Sequence, residues 1–418
     1  MRNMKRMEVS SYLLASQQSQ PNEEYDTYSK LITEGLIRSN SQELDDSAFN
    51  TKINQYKQFY DTPSTISDQL SFIYDKTVKG SEIKKPTRIL PQHPEKILDA
   101  PDILNDYYLN LLDWGNNNML AVCLGQSVYL WNADNGNIEQ LFTLKENDSY
   151  VCSVSWSSKT NCLAVGLSNN TTQLWDTDKF SLLRTLYGHE NRVSSLSWNG
   201  CLLSSGSRDS NILNHDVRIQ SHIVSKLTHH TSEICGLKWS CDGTQLASGA
   251  NDNNLMIWDL GFNNPRHILR EHTAAVKALA WCPWQKGLLA SGGGTGDKTI
   301  KFWNTELGTL IQSLNTNNQV CSLVWNKYEK ELLSSHGFSN VSNEVGKNHM
   351  CLWKYPSLQL IGELKGHSDR VLHMALSPDG EVVASAGADE TLRLWRLFEA
   401  PAQTKKQNNK KIFLNDLR

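Results

Sequence analysis

Ile234-Cys-Gly-Leu-Lys-Trp239, Gln245-Leu-Ala-Ser248, Leu255-Met-Ile-Trp258 and His267-Ile-Leu269 are four short apolar segments separated by turn-forming residues such as Asp242-Gly243 and Asn251-Asp-Asn-Asn254. Segments this short, bounded this way, read as β-strands of one small antiparallel sheet. The phrase that ends at Trp258 recurs along the chain. Its closing aromatics are Trp131, Trp175, His215, Trp258, Trp303, Trp353 and Trp395, spaced by 44, 40, 43, 45, 50 and 42 residues. A four-stranded unit repeated at about 40–45 residues is the blade of a β-propeller. Seven closers predict seven blades, an all-β fold.

Four repeats add a polar set: His230, Ser248, Asp252 and Trp258; His272, Ser291, Asp297 and Trp303; His367, Ser385, Asp389 and Trp395; and His189, Ser205 and Asp209 with His215 in the aromatic place. This is the WD-repeat pattern. A buried histidine needs both ring nitrogens satisfied, and an aspartate on the turn between second and third strands can accept one N–H. A catalytic triad or metal site would have to recur four times at blade spacing, so these residues read as structural. Most of the 13 tryptophans fall at two repeat phases, the closers and a first-strand set at Trp114, Trp156, Trp198, Trp239, Trp281 and Trp325, which assigns them to packing.

Composition fits a globular chain. With 39% hydrophobic and 20% charged residues and a formal charge of −3, it resembles neither a disordered nor a nucleic-acid-binding protein. The nine cysteines lack metal-ligand spacing, and several, including Cys152, Cys235 and Cys321, fall within predicted strands, as buried free thiols do in a reducing compartment. No apolar run of membrane-spanning length comes after Met1-Arg-Asn-Met-Lys-Arg6, so neither secretion nor a membrane partner is expected. No cofactor or metal is implied.

Residues 1–84 are rich in Ser, Gln, Asn and acidic residues and cannot offset the entropy of ordering, so they read as a largely disordered docking arm. Residues 85–400 carry the propeller, and 401–418 form a Lys-rich tail ending in Leu417-Arg418. The last repeat has no evident outer strand after Trp395. A propeller must close or expose strand edges, so the segment near Thr87 to Leu98 is expected to supply that strand.

The position just before each first strand gives Arg192, Glu233, Ala275, Gln319 and Arg370, with Asn251 and Thr295 beside neighbouring locks. Repeat phase puts all of them at one end of the ring. Such a set of charges and amides can grip an extended peptide, or can be ordinary solvated loop residues.

Leu98-Asp-Ala-Pro-Asp-Ile-Leu-Asn-Asp-Tyr-Tyr-Leu-Asn110, Ser127-Val-Tyr-Leu-Trp131, His215-Asp-Val-Arg218, Trp281-Cys-Pro-Trp284, Gly292-Gly-Gly-Thr295 and Ala388-Asp-Glu-Thr-Leu-Arg-Leu-Trp-Arg396 are more specific than a generic WD repeat. Over about Lys85 to Glu399 the chain resembles the Fizzy family, WD-repeat activators of the anaphase-promoting complex, and it is more similar to the mitotic branch than to the Fizzy-related branch. The resemblance implies a non-enzymatic subunit in cytoplasm and nucleus. Its partners would be subunits of that ubiquitin ligase, degron-bearing substrates such as cyclins and securin, and spindle-checkpoint proteins. It implies a Lys-Glu-Asn degron site at Asp106, Tyr107, Asn251, Thr295, Gln319 and Arg370, where Arg370 binds the degron's Glu and Asp106 faces its Lys. It implies a destruction-box (Arg-x-x-Leu) site at Asp99, Pro101, Trp131 and Glu390, and ligase docking through Leu417 and Arg418.

The chain also departs from the family. The N-terminal docking box, Asp-Arg-Tyr/Phe-Ile-Pro, has no counterpart, and the stretch from Met7 resembles the family segment on the C-terminal side of that box. An incomplete N-terminus and a divergent paralogue that binds degrons or checkpoint proteins without activating the ligase both stay open. Residues 339–348 enlarge the sixth repeat, as either a harmless insertion or a modifier of substrate choice.

Overall fold

The computed structural model describes residues 90–145, 149–339 and 348–400. Among these, 28 strands form seven four-stranded antiparallel sheets. The fourth repeat folds as Ile234–Trp239, Gln245–Ala250, Leu255–Asp259 and His267–Leu269, the second and third strands each running slightly past the apolar runs that predict them. The first strand of each sheet packs against those of its two neighbours, and Leu112–Trp114 of blade 1 touches both Val151–Trp156 of blade 2 and Val371–Leu376 of blade 7. The ring is therefore closed with seven blades. The arm 1–84, the tail with Leu417 and Arg418, and residues 340–347 of the long sixth-repeat loop lie outside the described residues.

Closure comes from the opposite end of the domain. Lys96–Asp99 pairs antiparallel with Thr391–Arg396, setting Lys96 opposite Leu394 and Asp99 opposite Thr391. The Glu95 N–H donates to the Leu394 carbonyl at 2.7 Å, and the Ala100 N–H to that of Glu390 at 2.8 Å. Of the expected segment Thr87 to Leu98, residues 87–89 lie outside the described residues, and the ladder begins only at Lys96 and runs to Asp99. Pro91 and Pro94 have no N–H to give a ladder, and Leu90 packs instead against the apolar cluster shared by blades 6 and 7.

The four polar sets form as expected. His230 Nδ1 lies 2.9 Å from Asp252 Oδ2, and its Nε2 lies 2.8 Å from Ser248 Oγ, which also accepts the Trp258 indole N–H at 2.8 Å. Blades 5 and 7 repeat this around Ser291 and Ser385. In blade 3, His215 Nε2 takes the indole's place, 2.8 Å from Ser205 Oγ. Burial opposes the charge on Asp209 and Asp252, yet hydrogen bonds from His189 and His230 and from backbone N–H groups bring both carboxyls down to about 2. Blade 6 has a partial version that the sequence pattern missed, because its histidine lies within the second strand: Ser334 Oγ meets His336 Nε2 and the Trp353 N–H, both at 2.7 Å.

The first-strand tryptophans pack in or against the apolar clusters, as expected, and several also join blades. Trp156 donates to the Asp113 carbonyl, Trp198 to Ser155, Trp281 to Lys238 and Trp325 to Ala280, at 2.9–3.2 Å, each reaching the preceding blade. Nearer the axis, the first strands of blades 2 to 7 share an irregularity, one residue in except in blade 6, whose longer strand has it at Cys321 and a further shift at Gln319. Register shifts between Val151 and Ser153, Val193 and Ser195, Ile234 and Gly236, Val276 and Ala278, Val320 and Ser322, and Val371 and His373. A bulge takes the extra residue out of the ladder, so Cys152, Ser194, Cys235, Lys277, Cys321 and Leu372 need other partners for their peptide groups.

Candidate functional site

The segment Asn105–Asn110 supplies several of those partners and caps the channel. The Asn110 N–H donates to the Cys152 carbonyl at 3.0 Å, and its amide Nδ2 to the Ser194 and Cys235 carbonyls at 2.7 and 3.0 Å. The Tyr107 hydroxyl donates to the Val320 carbonyl at 3.1 Å and lies 3.4 Å from that of Ala275. One short stretch thus ties blades 2 to 6 together.

Around this cap stands the polar ring. Asn251 N donates to the Glu233 carbonyl, Gly294 N to Ala275, Arg208 N to Arg192 and Ala388 N to Arg370, all at 2.9–3.0 Å. This repeated bond joins the pre-strand position of a blade to the end of its second strand, and places Asn251, Thr295 and Arg370 at one end of the ring. Gly337 brings in Gln319: a Cβ built there would stand 2.6 Å from Gln319 Oε1 and 3.2 Å from Arg370 Cβ, so glycine lets the two side chains share the space.

The six expected central residues stand at this end of the ring; Gln319 and Arg370, at 3% and 7% exposed, are nearly covered, and so is Tyr107 at 7%. Its ring is buried with Cys235, Ala275, Cys321 and Leu372, and burial pushes its phenol well above the ordinary value. The next residue, Tyr108, is half-buried and donates its hydroxyl to Asn251 Oδ1 at 2.9 Å. Asp106 is engaged too. Its Oδ1 accepts the Tyr108 N–H, and its Oδ2 lies 2.9 Å from Arg192 Nη1. Arg192 also forms a two-pronged pair with Glu233, at 2.7 and 3.0 Å. Burial disfavours the Arg192 charge, but hydrogen bonds to Glu233 and Tyr150 hold it firmly charged. Arg208 lines the same recess, so two guanidiniums face the two carboxylates of this quarter. Across the ring, Arg370 donates to Asn105 Oδ1 and, at 2.7 Å, to the Asn105 carbonyl, and its guanidinium stacks 4.5 Å from the Phe338 ring centre.

A second site lies on the flank. Leu98, Asp99, Ala100, Pro101 and Leu392 on one side and Val122, Leu124, Tyr129, Trp131 and Ile138 on the other line a cavity of about 260 Å³ between blades 7 and 1. Its wall is mostly apolar, with Trp131 braced by the edge of Trp114 and by Lys96 Nζ 5.7 Å from its ring centre. Asp99 and Glu390 are exposed and adjoin through the closing strand, where the Ala100 N–H meets the Glu390 carbonyl. Among the described residues neither carboxylate has a hydrogen-bond or ion-pair partner. An apolar pocket beside two free carboxylates suits a peptide that carries an aliphatic and a cationic side chain.

Residues 98–395 match the CDC20/Fizzy WD40 domain family. The chain belongs to that family. Among its relatives, it is 48% identical over 397 residues to the anaphase-promoting complex subunit cdc20 of Dictyostelium discoideum, covering 93% of this chain and 78% of that one. It is 53% identical over 336 residues to cell division cycle 20.5, cofactor of APC complex, of Arabidopsis thaliana, covering 78% and 73%. A chain in the crystal structure of the mitotic checkpoint complex superposes with a TM-score of 0.71 at 47% identity, covering 74% of this chain and 95% of that one.

For this CDC20/Fizzy chain, repeat phase placed Asn251, Thr295, Gln319 and Arg370 at one end of the ring, because a period fixes which end of a blade a residue occupies. The roles of Asn105 and Tyr108 were not legible, since the cap lies outside the repeat. The pairing of Arg192 with Glu233 had a signal: opposite charges at the same phase of adjacent blades.

Proposed function

We propose that this chain is a substrate-recognition cofactor of the anaphase-promoting complex in mitosis or meiosis. The central ring would take a Lys-Glu-Asn degron and the flank pocket an Arg-x-x-Leu destruction box. The observation that carries the reading is the pair of sites on one closed ring in a chain of this family: a polar ring holding Arg370 and, apart from it, the carboxylates of Asp106 and Glu233, and an apolar flank pocket beside the unpaired Asp99 and Glu390. In this reading Arg370 meets the degron's Glu as a charge-assisted pair. The Asp106–Arg192–Glu233 group faces its Lys, and Asn251, Thr295 and Gln319 meet the remaining polar groups. Tyr107 acts from below, as the plug on which the ring is built. At the flank, Asp99 and Glu390 clamp the Arg, while Pro101 and Trp131 border the pocket for the Leu.

The chain does no chemistry itself. It holds a substrate next to the ligase, in cytoplasm and nucleus, with Leu417-Arg418 as one docking point and spindle-checkpoint proteins as further partners. Linked contacts multiply through effective concentration, so a two-site grip raises the substrate's residence on the complex. The test is to add the purified chain to ligase depleted of its own activators, with a destruction-box substrate. Ubiquitin chains should form with the unsubstituted protein and fall sharply with Asp99→Ala. No chains with the unsubstituted protein, despite binding to the substrate, would favour a scaffold or inhibitor instead.

A further inference from the structure

The six bulge positions of blades 2 to 7 carry Cys152, Ser194, Cys235, Lys277, Cys321 and Leu372, and only one of these side chains is charged. Lys277 is 5% exposed and forms no ion pair among the described residues. A buried ammonium without a carboxylate is costly, so packing alone would favour an aliphatic residue here. Its Nζ donates to the Leu372 carbonyl of blade 7 at 3.2 Å, lies 3.5 Å from His373 Nδ1, and stands 5.5 Å from the ring centre of Tyr107. The Leu372 carbonyl is one that the bulge took out of its ladder. On its other side Lys277 lines a cavity of about 390 Å³ with Trp239, Trp281 and Trp325 at the far ends of the first strands. Lys277 therefore stands between that cavity and the plug.

We infer that Lys277 is a positioning residue for the central peptide site, bracing the cap from beneath and thereby fixing the ring above it. Two routes lead upward from it. One runs through Tyr107 to its sequence neighbours Asp106 and Tyr108, which hold Arg192 and Asn251. The other runs through Leu372 to Arg370, two residues earlier, whose guanidinium is held by Asn105 of the same cap. Both routes end on groups of the polar ring. Neither reaches the flank pocket between blades 7 and 1, whose walls share no residue with this assembly. The inference rests on the reading of the ring as the Lys-Glu-Asn site.

That separation supplies the test. The full chain and its Lys277→Met variant would be titrated with two end-blocked fluorescent peptides, one carrying Lys-Glu-Asn and one carrying Arg-x-x-Leu, with the melting temperature recorded for each protein. Met keeps the length and removes the charge. The expected result is at least fivefold weaker Lys-Glu-Asn binding, with destruction-box binding within twofold. Equal Lys-Glu-Asn binding by variant and parent would overturn the inference, as would an equal loss of both peptides by a folded variant.

If the variant does not fold, the unsubstituted chain decides through its pH profile. Burial lowers the Lys277 ammonium to about 8, so the charge-assisted brace is present below that pH, and above it the neutral amine keeps only a weaker N–H donor. Of the titratable groups facing it, burial holds His373 well below the range of interest, pushes Tyr107 and Cys235 above it and takes Cys321 up to about 11, and the remaining charged neighbours are Asp106 and Arg370. Lys-Glu-Asn affinity should fall several-fold between pH 7 and 9 while destruction-box affinity stays level. A level Lys-Glu-Asn profile would overturn the inference. If the unsubstituted chain binds no Lys-Glu-Asn peptide at pH 7, the reading of the ring fails, and the inference with it.

Discussion

Replacing Ser248 with alanine tests whether the polar locks hold the blades. Ser248 is fully buried, and its hydroxyl sits between His230 and Trp258, which are 4% and 2% exposed. Asp252, ionised and 2.9 Å from His230 Nδ1, places the ring proton on that nitrogen. His230 Nε2 is then an acceptor, so the Ser248 hydroxyl donates to it and accepts the Trp258 indole N–H. Ser248→Ala orphans one acceptor and one donor, both without access to water. At roughly 1–3 kcal/mol per orphaned group the cost is about 2–6 kcal/mol. The lost oxygen is small, so a cavity adds little. Urea unfolding monitored by tryptophan fluorescence would read the change as a lower midpoint at unchanged slope. Adding Trp258→Phe removes the orphaned indole donor, so the double variant should lose less than the sum of the two single changes. A loss below about 0.5 kcal/mol for Ser248→Ala, the range of an ordinary surface change, would refute the reasoning.

The same contacts have other measurable consequences. Asp209 and Asp252 titrate in the folded state near 2, below the ordinary carboxyl value. Their stabilisation is therefore complete above about pH 4 and is lost as pH falls towards 2; circular dichroism should show acid unfolding steepest in that window, and a flat signal down to pH 2 would contradict it. Deleting residues 1–99 strips the outer strand from blade 7 and bares the edge of Thr391–Arg396; the truncated chain should elute as aggregate where the full chain elutes as a defined species. Cys241 is exposed whereas Cys152, Cys235 and Cys321 are buried; a maleimide added to native protein should label Cys241 within minutes and reach the other three only with unfolding, as peptide mass mapping would show.

The ring was legible in the sequence because a propeller repeats its chemistry. The spacing of Trp131 to Trp395 fixes the blade count, and the His, Ser and Asp at constant phase fix the locks, so each reading was supported several times over. Closure by Lys96–Asp99 could be argued from the outer strand missing after Trp395, though its start could not, since Pro91 and Pro94 shorten the ladder. Features that occur only once escaped. The cap at Asn105–Asn110 has no counterpart elsewhere in the chain, and its role depends on carbonyls freed by bulges, which a hydrophobic pattern does not reveal. Tyr107 and Tyr108 show the limit well. Adjacent and chemically alike, one is the buried plug and the other a surface ligand of Asn251.

The central claim is that one rigid ring offers two separate peptide grips. Titrating Arg370→Ala and Asp99→Ala with both degron peptides tests it most directly. The account predicts that Arg370→Ala weakens only the Lys-Glu-Asn peptide and Asp99→Ala only the Arg-x-x-Leu peptide, each by roughly tenfold or about 1.4 kcal/mol. Two variants that weaken both peptides alike, or neither, would contradict it.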